Sequence, residues 1–175
     1  MKNPAFILPL VATLLLPACT NTSNDAHKKD TIKFLFRDTV LSLKNDRKAD
    51  DLDTLFAYAD KDLQNAIGLI KADSMNVYDG YGNDISSCNE VRYILNLSVG
   101  NGYSIDEAAD VKYKVLSNGN VRASIMLEGD EDIEDSNFED YKDFSLNCSG
   151  EGCKVTDMYD SAGNSAIQDV DKYCR

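Results

Sequence analysis

Four cysteines in the second half of the chain have the most restricted chemistry in the sequence. Cys88, Cys148, Cys153 and Cys174 can pair as two disulfides, or their thiolates can bind zinc. The only histidine, His27, is distant in sequence, and the cysteine spacing would be unusual for a four-cysteine zinc site. The sequence therefore favours disulfides, provided that the chain reaches an oxidising compartment.

The N-terminal region indicates that the chain is exported. Lys2 supplies a positive charge, an apolar stretch runs from Phe6 to Leu16, and small residues precede Cys19. This order of basic, apolar and small-residue regions is typical of a signal peptide. The apolar stretch is shorter than the roughly 20 residues that a membrane-spanning helix needs, so we expect residues 1–18 to be removed.

The segment Leu16-Pro17-Ala18-Cys19 resembles the lipobox of bacterial lipoproteins. The resemblance implies cleavage before Cys19 and acylation of that cysteine, so that its acyl chains bind the protein to a membrane. Thr20 stands where lipoproteins of the inner membrane tend to carry Asp, which implies an outer-membrane lipoprotein facing the periplasm. The alternative is an ordinary secretory signal that leaves Cys19 free.

The rest of the chain divides into a short linker and one domain. Residues 19–29 are polar and lack periodicity, which predicts a flexible tether of at most about 35 Å. Residues 30–175 have the length of a single domain with a real core. The formal net charge of −12 argues against a nucleic-acid partner, whose phosphates attract cationic proteins, and is compatible with a basic protein partner.

Three disulfide connectivities are open, and we prefer Cys148–Cys153 with Cys88–Cys174. The segment Cys148-Ser-Gly-Glu-Gly-Cys153 looks like two strand ends that flank a glycine-rich turn. Chain entropy predicts that the short loop contributes roughly 2 kcal/mol and the long one roughly 4 to 5 kcal/mol.

Hydrophobic periodicity places these cysteines in an α+β domain. Helical spacing predicts one helix from Asp30 to about Asn45, with Phe34 and Leu41 widening its buried face, and a second from an Asp51 N-cap to Ile70. Alternation predicts strands at Tyr93–Val99, Val111–Val115, Val121–Leu127, Tyr141–Asn147 and Lys154–Tyr159. Asn118-Gly119 predicts a hairpin, and Ser165–Tyr173 predicts a short C-terminal helix. We therefore expect N-terminal helices packed on a curved antiparallel sheet, followed by a short helix.

The closing segment, Phe144 to Cys148 and Cys153 to Ser161 followed by a short helix that ends in cysteine, resembles small exported nuclear-transport-factor-2-like domains. The resemblance covers about residues 28–175 and implies a cone-shaped α+β fold. It implies no particular function, because this architecture hosts enzymes, binders and inert modules.

No catalytic motif stands out in the predicted domain. Mechanisms that pair serine or cysteine with histidine need a histidine that residues 30–175 lack. A paired-carboxylate hydrolase stays open on composition alone, because the chain has 30 acidic residues. We expect a protein that is not an enzyme and that binds no cofactor or metal.

Two segments are candidates for partner binding. Between Glu128 and Asp143 the only cation is Lys142, and the acidic side chains include Asp130, Glu131, Asp132, Glu134 and Asp135. A solvated loop is the plainest interpretation; the alternatives are a docking surface for a basic partner and a calcium site, although the run lacks the mid-loop glycine of an EF-hand. Tyr78 and Tyr81 lie in a turn-rich loop, where they either contact a partner or cover a sheet edge.

Three hypotheses follow for the function. The first is a lipid-anchored periplasmic binding protein, for example an immunity protein that neutralises a toxin delivered to the periplasm. The second is a structural or accessory envelope lipoprotein. The third is a small-ligand carrier or enzyme that uses the pocket of the cone.

Overall fold

The structure, a computed structural model, describes residues 20–45, 50–73, 88–97, 110–127, 138–150 and 152–174. Its helices are α1 (Thr20–Asn45), α2 (Asp51–Tyr58), α3 (Lys61–Asp73), α4 (Asn89–Leu95) and α5 (Ala166–Tyr173). Its strands are β1 (Lys112–Val115), β2 (Val121–Leu127), β3 (Phe138–Ser149) and β4 (Gly152–Tyr159), which form an antiparallel sheet in the order β1-β2-β3-β4. The predicted α+β class and the short C-terminal helix are confirmed.

The helices cover one face of the sheet because one set of alternating side chains on each strand is apolar. Phe144 of β3 is fully buried, and the ring of Phe36 on α1 lies edge-on to it at 5.9 Å. Phe36 makes a second edge contact with Tyr113 of β1 at 5.8 Å. Such aromatic pairs add to the free energy gained by burying apolar area, so α1 is fixed across the middle of the sheet.

Helix α1 begins earlier than the sequence predicts, since residues 20–29 are helical and not a flexible tether. The Lys28 ammonium donates to the Gly119 carbonyl in the β1–β2 turn at 2.8 Å, which holds this end of the helix against the sheet. Once the buried part of a helix has formed, each residue added costs little, so a polar end can extend without an apolar face. The same helix exposes nearly half of Phe34 and Leu41, which the periodicity wrongly counts among the buried residues.

The predicted helix over Asp51–Ile70 is two helices, because the chain pairs with β4 in its middle. Ala59 forms a parallel bridge with Val155, and the Asp60 amide donates to the Val155 carbonyl at 2.8 Å. The Asp60 carboxylate then accepts from the Leu63 amide at 3.0 Å and starts α3. The N-cap of α2 is Asp50 and not Asp51, since the Asp50 carboxylate accepts from Leu52 N.

The predicted strand that starts at Tyr93 is also wrong, because residues 89–95 form α4. Ile94, Leu95 and Leu97 are buried, so the apparent alternation is the last turn of a helix followed by an extended segment. Val99 lies outside the described residues.

The two predicted hairpins are present. In the first, Gly119 has a φ of 84°, which favours glycine, and its amide donates to the Leu116 carbonyl at 2.9 Å. In the second, β3 and β4 pair as far as Ser149 and Gly152, one residue pair beyond the Cys148–Cys153 disulfide, and the register shifts between Ser145 and Leu146. Such a bulge bends a strand and increases its twist. No helix within the described ranges has the length and hydropathy that crossing a membrane requires.

Candidate functional site

The candidate site is a cleft between the short helices α4 and α5. The Cys88–Cys174 disulfide joins the residue before α4 to the residue after α5 and closes a loop of 86 residues. The cleft has a volume of about 370 Å³, which is within the size range of ligand sites. It is lined by Val91, Tyr93 and Ile94 from α4, Asp160 and Asn164 from the loop before α5, and Asp169, Lys172 and Tyr173 from α5.

The α5 wall is positioned by hydrogen bonds at the start of that helix. Ser165 is the N-cap, and its hydroxyl accepts from the Gln168 amide at 3.2 Å. The same hydroxyl donates to the Asp157 carboxylate of β4 at 2.6 Å. Upstream, the Asp160 carboxylate accepts from the backbone amide and the side-chain amide of Asn164, at 2.8 and 2.9 Å. These bonds fix α5 and its preceding loop to the end of β4.

The α4 wall is held from the sheet by Lys142. Its ammonium donates to the carbonyls of Tyr93 at 2.7 Å and Ile94 at 3.0 Å, and also to that of Asn96. Lys142 lies on β3 with an exposed fraction of 8%. Burial lowers the pKa of Lys142 to about 8, while the carboxylates of Asp51, Asp140 and Asp160 oppose that change.

Two carboxylates of the α2 N-terminus complete the attachment of α4. Asp50 accepts from the Arg92 guanidinium at 2.9 Å, and Asp51 accepts from the Leu97 amide at 2.9 Å. Burial and the adjacent Asp50 carboxylate together raise the pKa of Asp51 to about 6, although the amides of Leu97 and Leu52 oppose this change. Asp50 has a pKa below its usual range: burial opposes this, but hydrogen bonds from Asp51 and Leu52 and the charge of Arg92 outweigh it.

The rim of the cleft carries two accessible tyrosines. Tyr93 is 72% exposed although its helix is fixed on several sides, and Tyr173 is 38% exposed. The Lys172 ammonium lies 4.5 Å from the centre of the Tyr173 ring and donates to the Tyr173 hydroxyl. Asp160 and Asp169 add acidic residues to the lining of the same cleft. The arrangement suits binding of a polar or amphipathic surface group.

The residues predicted from sequence fall into two groups. The structure pairs Cys88 with Cys174 and Cys148 with Cys153, which is the connectivity preferred from the sequence. The lipidation residue and the predicted partner-binding residues lie outside the described residues: Cys19, Tyr78, Tyr81, Asp130, Glu131, Asp132, Glu134 and Asp135. Glu139, Asp140 and Asp143 of the acidic run are described, and all three lie on β3.

Tyr93, Lys142 and Tyr173 are site residues that the sequence does not single out as functional. For Lys142 a signal is present: it is the only cation in an acidic run, and it shares the inward alternation of Phe144 and Leu146. A lysine at an inward strand position needs a set of acceptors. Tyr93 gives no such signal, because the alternation places it on the buried face of a predicted strand, whereas in the structure its side chain is exposed.

His27 and the acidic residues offer no metal site in the part of the chain that is described. His27 lies on α1, where its side chain is exposed and its carbonyl accepts from the Thr31 hydroxyl at 2.9 Å. Within the described ranges, no three His, Cys, Asp or Glu side chains converge as metal ligands.

Comparison of the chain with protein-family models, with curated proteins and with solved structures found no match.

Proposed function

We propose that the chain is a lipid-anchored binding protein of the bacterial envelope, and that the α4–α5 cleft contacts its protein partner. The observation that carries the proposal is the exposure of Tyr93 on a helix held by the disulfide, by Lys142 and by α2. Tyrosine is enriched among the residues that dominate binding energy in protein interfaces. An aromatic side chain on a fixed backbone also loses little conformational entropy on binding.

The lipid anchor is proposed from the lipobox-like segment that ends at Cys19. Acyl chains on Cys19 would hold the protein at the periplasmic face of the outer membrane. A disulfide-bonded domain is consistent with that compartment, since disulfides persist where the environment is oxidising.

A basic protein is the partner that the charge favours. The net charge of −12 speeds encounter with a cationic protein, and the acidic run between Glu128 and Asp143 would add to that attraction. An immunity protein that neutralises a toxin delivered to the periplasm fits this description. Raising the salt concentration should then lower the association rate constant and change the dissociation rate constant much less.

The test is affinity capture from envelope extracts, followed by binding measurements with the purified partner. The variant Tyr93→Ala with Tyr173→Ala removes both rim rings, and Phe34→Ala removes a comparably exposed ring from α1 as the matched control. We expect the double variant to weaken binding by roughly thirtyfold or more, which corresponds to the ~2 kcal/mol of an interface hot spot, with Phe34→Ala unchanged.

Equal affinity in the double variant and the control would show that the cleft is not the binding surface. Failure of the unmodified protein to retain any envelope protein would contradict the binding function itself. For the immunity role, the captured protein should inhibit growth when exported alone and should lose that effect when the two are produced together.

A further inference from the structure

The Lys142 ammonium occupies an unusual place for a lysine. Its strand position points to the helix-covered face, where it is the register partner of Ala123. With an exposed fraction of 8%, its head group is removed from bulk water, which carries a large free-energy cost unless its donors are satisfied. An ammonium has three N–H donors, and Lys142 has three carbonyl acceptors in Tyr93, Ile94 and Asn96.

These carbonyls lie at the C-terminal end of α4, where the last carbonyls of a helix have no acceptor role within the helix itself. Tyr93 and Ile94 belong to the last turn of α4, and Asn96 is its C-cap, whose amide donates to the Arg92 carbonyl at 2.9 Å. The end of a helix also carries a partial negative charge, which a cation stabilises. Lys142 therefore acts as a cap supplied from another element of the fold.

We infer that Lys142 is a positioning residue for the candidate site: its ammonium fixes the end of α4 on the sheet and so sets the place of Tyr93 at the cleft. Helix α4 spans only residues 89–95, and a helix of that length has no stability of its own in water. Its position must come from its attachments. The disulfide holds its start, whereas Lys142 and the α2 carboxylates hold its end.

Lys142 is surrounded by groups that keep it paired. Asp51 approaches from α2, Asp140 from β3 and Asp160 from the loop after β4, and all three favour the ammonium form. Removing one partner of a buried charged cluster is destabilising, because the groups left behind lose their partner where water does not replace it. The loss of protection should be largest at the end of α4, where three carbonyls lose their donor.

The experiment is amide hydrogen exchange on the purified protein and on three variants. Lys142→Met keeps the aliphatic length and removes all three donors, while Lys142→Gln keeps two donors without the charge. Lys154→Met is the matched control, because the Lys154 ammonium donates to the Ala57 carbonyl at 2.9 Å, away from α4. We expect Lys142→Met to lower the protection of the Asn96 and Leu97 amides by roughly tenfold or more.

Lys142→Gln should lower that protection less, and Lys154→Met should leave it unchanged. The loss of protection at Asn96 and Leu97 in Lys142→Met should exceed any loss in the centre of β3 and β4, because the missing donor acts at the end of α4. Unchanged protection at Asn96 and Leu97 in Lys142→Met would overturn the inference. So would an equal loss throughout the sheet, which would indicate a general structural role.

A measurement on the unmodified protein covers the case in which neither Lys142 variant folds. The Lys142 ammonium should give a slowly exchanging nitrogen-15 signal near neutral pH, with couplings across hydrogen bonds to the carbonyls of Tyr93 and Ile94. Absence of such a signal would overturn the inference. Neither measurement needs a partner, so their outcome is independent of the binding function proposed above.

Discussion

Asp51 is a carboxylic acid whose ionisation is strongly altered by the fold. Its carboxylate is partly buried beside Asp50, and these two effects raise its pKa from 3.8 to about 6. The folded state therefore binds a proton more tightly than the unfolded state does. The stabilisation from this group is complete below about pH 4 and is lost as the pH rises through about 6.

The variant Asp51→Asn should remove this pH dependence. An asparagine carbonyl can still accept from the Leu97 amide, so the hydrogen bond that Asp51 makes to α4 is retained. At pH 7.5 we expect the free energy of unfolding of the variant to be higher by about 2 kcal/mol. A shift of one pKa unit corresponds to about 1.4 kcal/mol, and we reduce the resulting figure because water still reaches the group. Near pH 4 the difference should disappear.

Urea unfolding at several pH values between 4 and 7.5 measures this difference. Asp62→Asn, an exposed acidic residue in the first turn of α3, is the control and should show no comparable trend. A difference that grows as the pH falls would contradict the elevated pKa of Asp51.

Among the elements, the pairing of α4 with α5 depends most on one covalent bond. The Cys88–Cys174 disulfide closes a loop of 86 residues, whereas Cys148–Cys153 has a sequence separation of 5. Replacing the first pair by serines should cost about 4 to 5 kcal/mol, and replacing the second should cost about 2 kcal/mol. Chemical unfolding of the two double variants gives the comparison, with the Cys148–Cys153 variant as the control for loss of a disulfide.

A Cys88–Cys174 replacement that costs no more than the Cys148–Cys153 replacement would contradict the expected dependence on loop length. Only the first replacement should also lower the hydrogen-exchange protection of α4, because only that bond adjoins the cleft.

Local patterns predict some of these elements and miss others for identifiable reasons. Asn118-Gly119 predicts the first hairpin because its turn uses a backbone angle suited to glycine. Asp60 is of a residue type favoured at helix N-caps, but the break between α2 and α3 also depends on the contact of Ala59 and Asp60 with Val155, which no local pattern reveals. Tyr93, Leu95 and Leu97 stand at every second position, as in a strand, although the chain is helical up to Leu95. Only tertiary contacts therefore distinguish α4 from a strand.

The candidate site was predictable only in outline. The preferred Cys88–Cys174 pairing brings the C-terminal helix back to residue 88, and the structure places the cleft beside that bond. The side chains that line the cleft come from α4, which precedes the first strand in the chain, and from α5 and its preceding loop, which follow the last strand. Periodicity says which face a residue occupies but not what lies opposite, so the capping of α4 by Lys142 could not be foreseen.

For the whole molecule, membrane attachment through Cys19 is the prediction with the widest consequence. The variant Cys19→Ser should move the protein from the membrane fraction to the soluble periplasmic fraction, because acyl chains can no longer be attached. Mass spectrometry of the N-terminal peptide of the unmodified protein should show an acylated Cys19. An unmodified Cys19, or a chain that starts at another residue, would contradict the prediction.

The resemblance to nuclear-transport-factor-2-like domains stays a prediction at this scale. The α+β class is present, with helices on one face of an antiparallel sheet, and the comparisons with known proteins give no match. Fold class alone would not select among the functions open to such a domain.

The early start of α1 changes what an anchor at Cys19 would do. The backbone from Thr20 to the Lys28–Gly119 contact is helical, with a rise of about 1.5 Å per residue. This segment is therefore a stiff spacer and not a flexible linker. Acyl chains at its base would leave the domain free to diffuse laterally and to swivel about the spacer, but would limit its tilting. The cleft would then face the membrane plane at a restricted angle, and a partner would have to approach along a restricted set of directions.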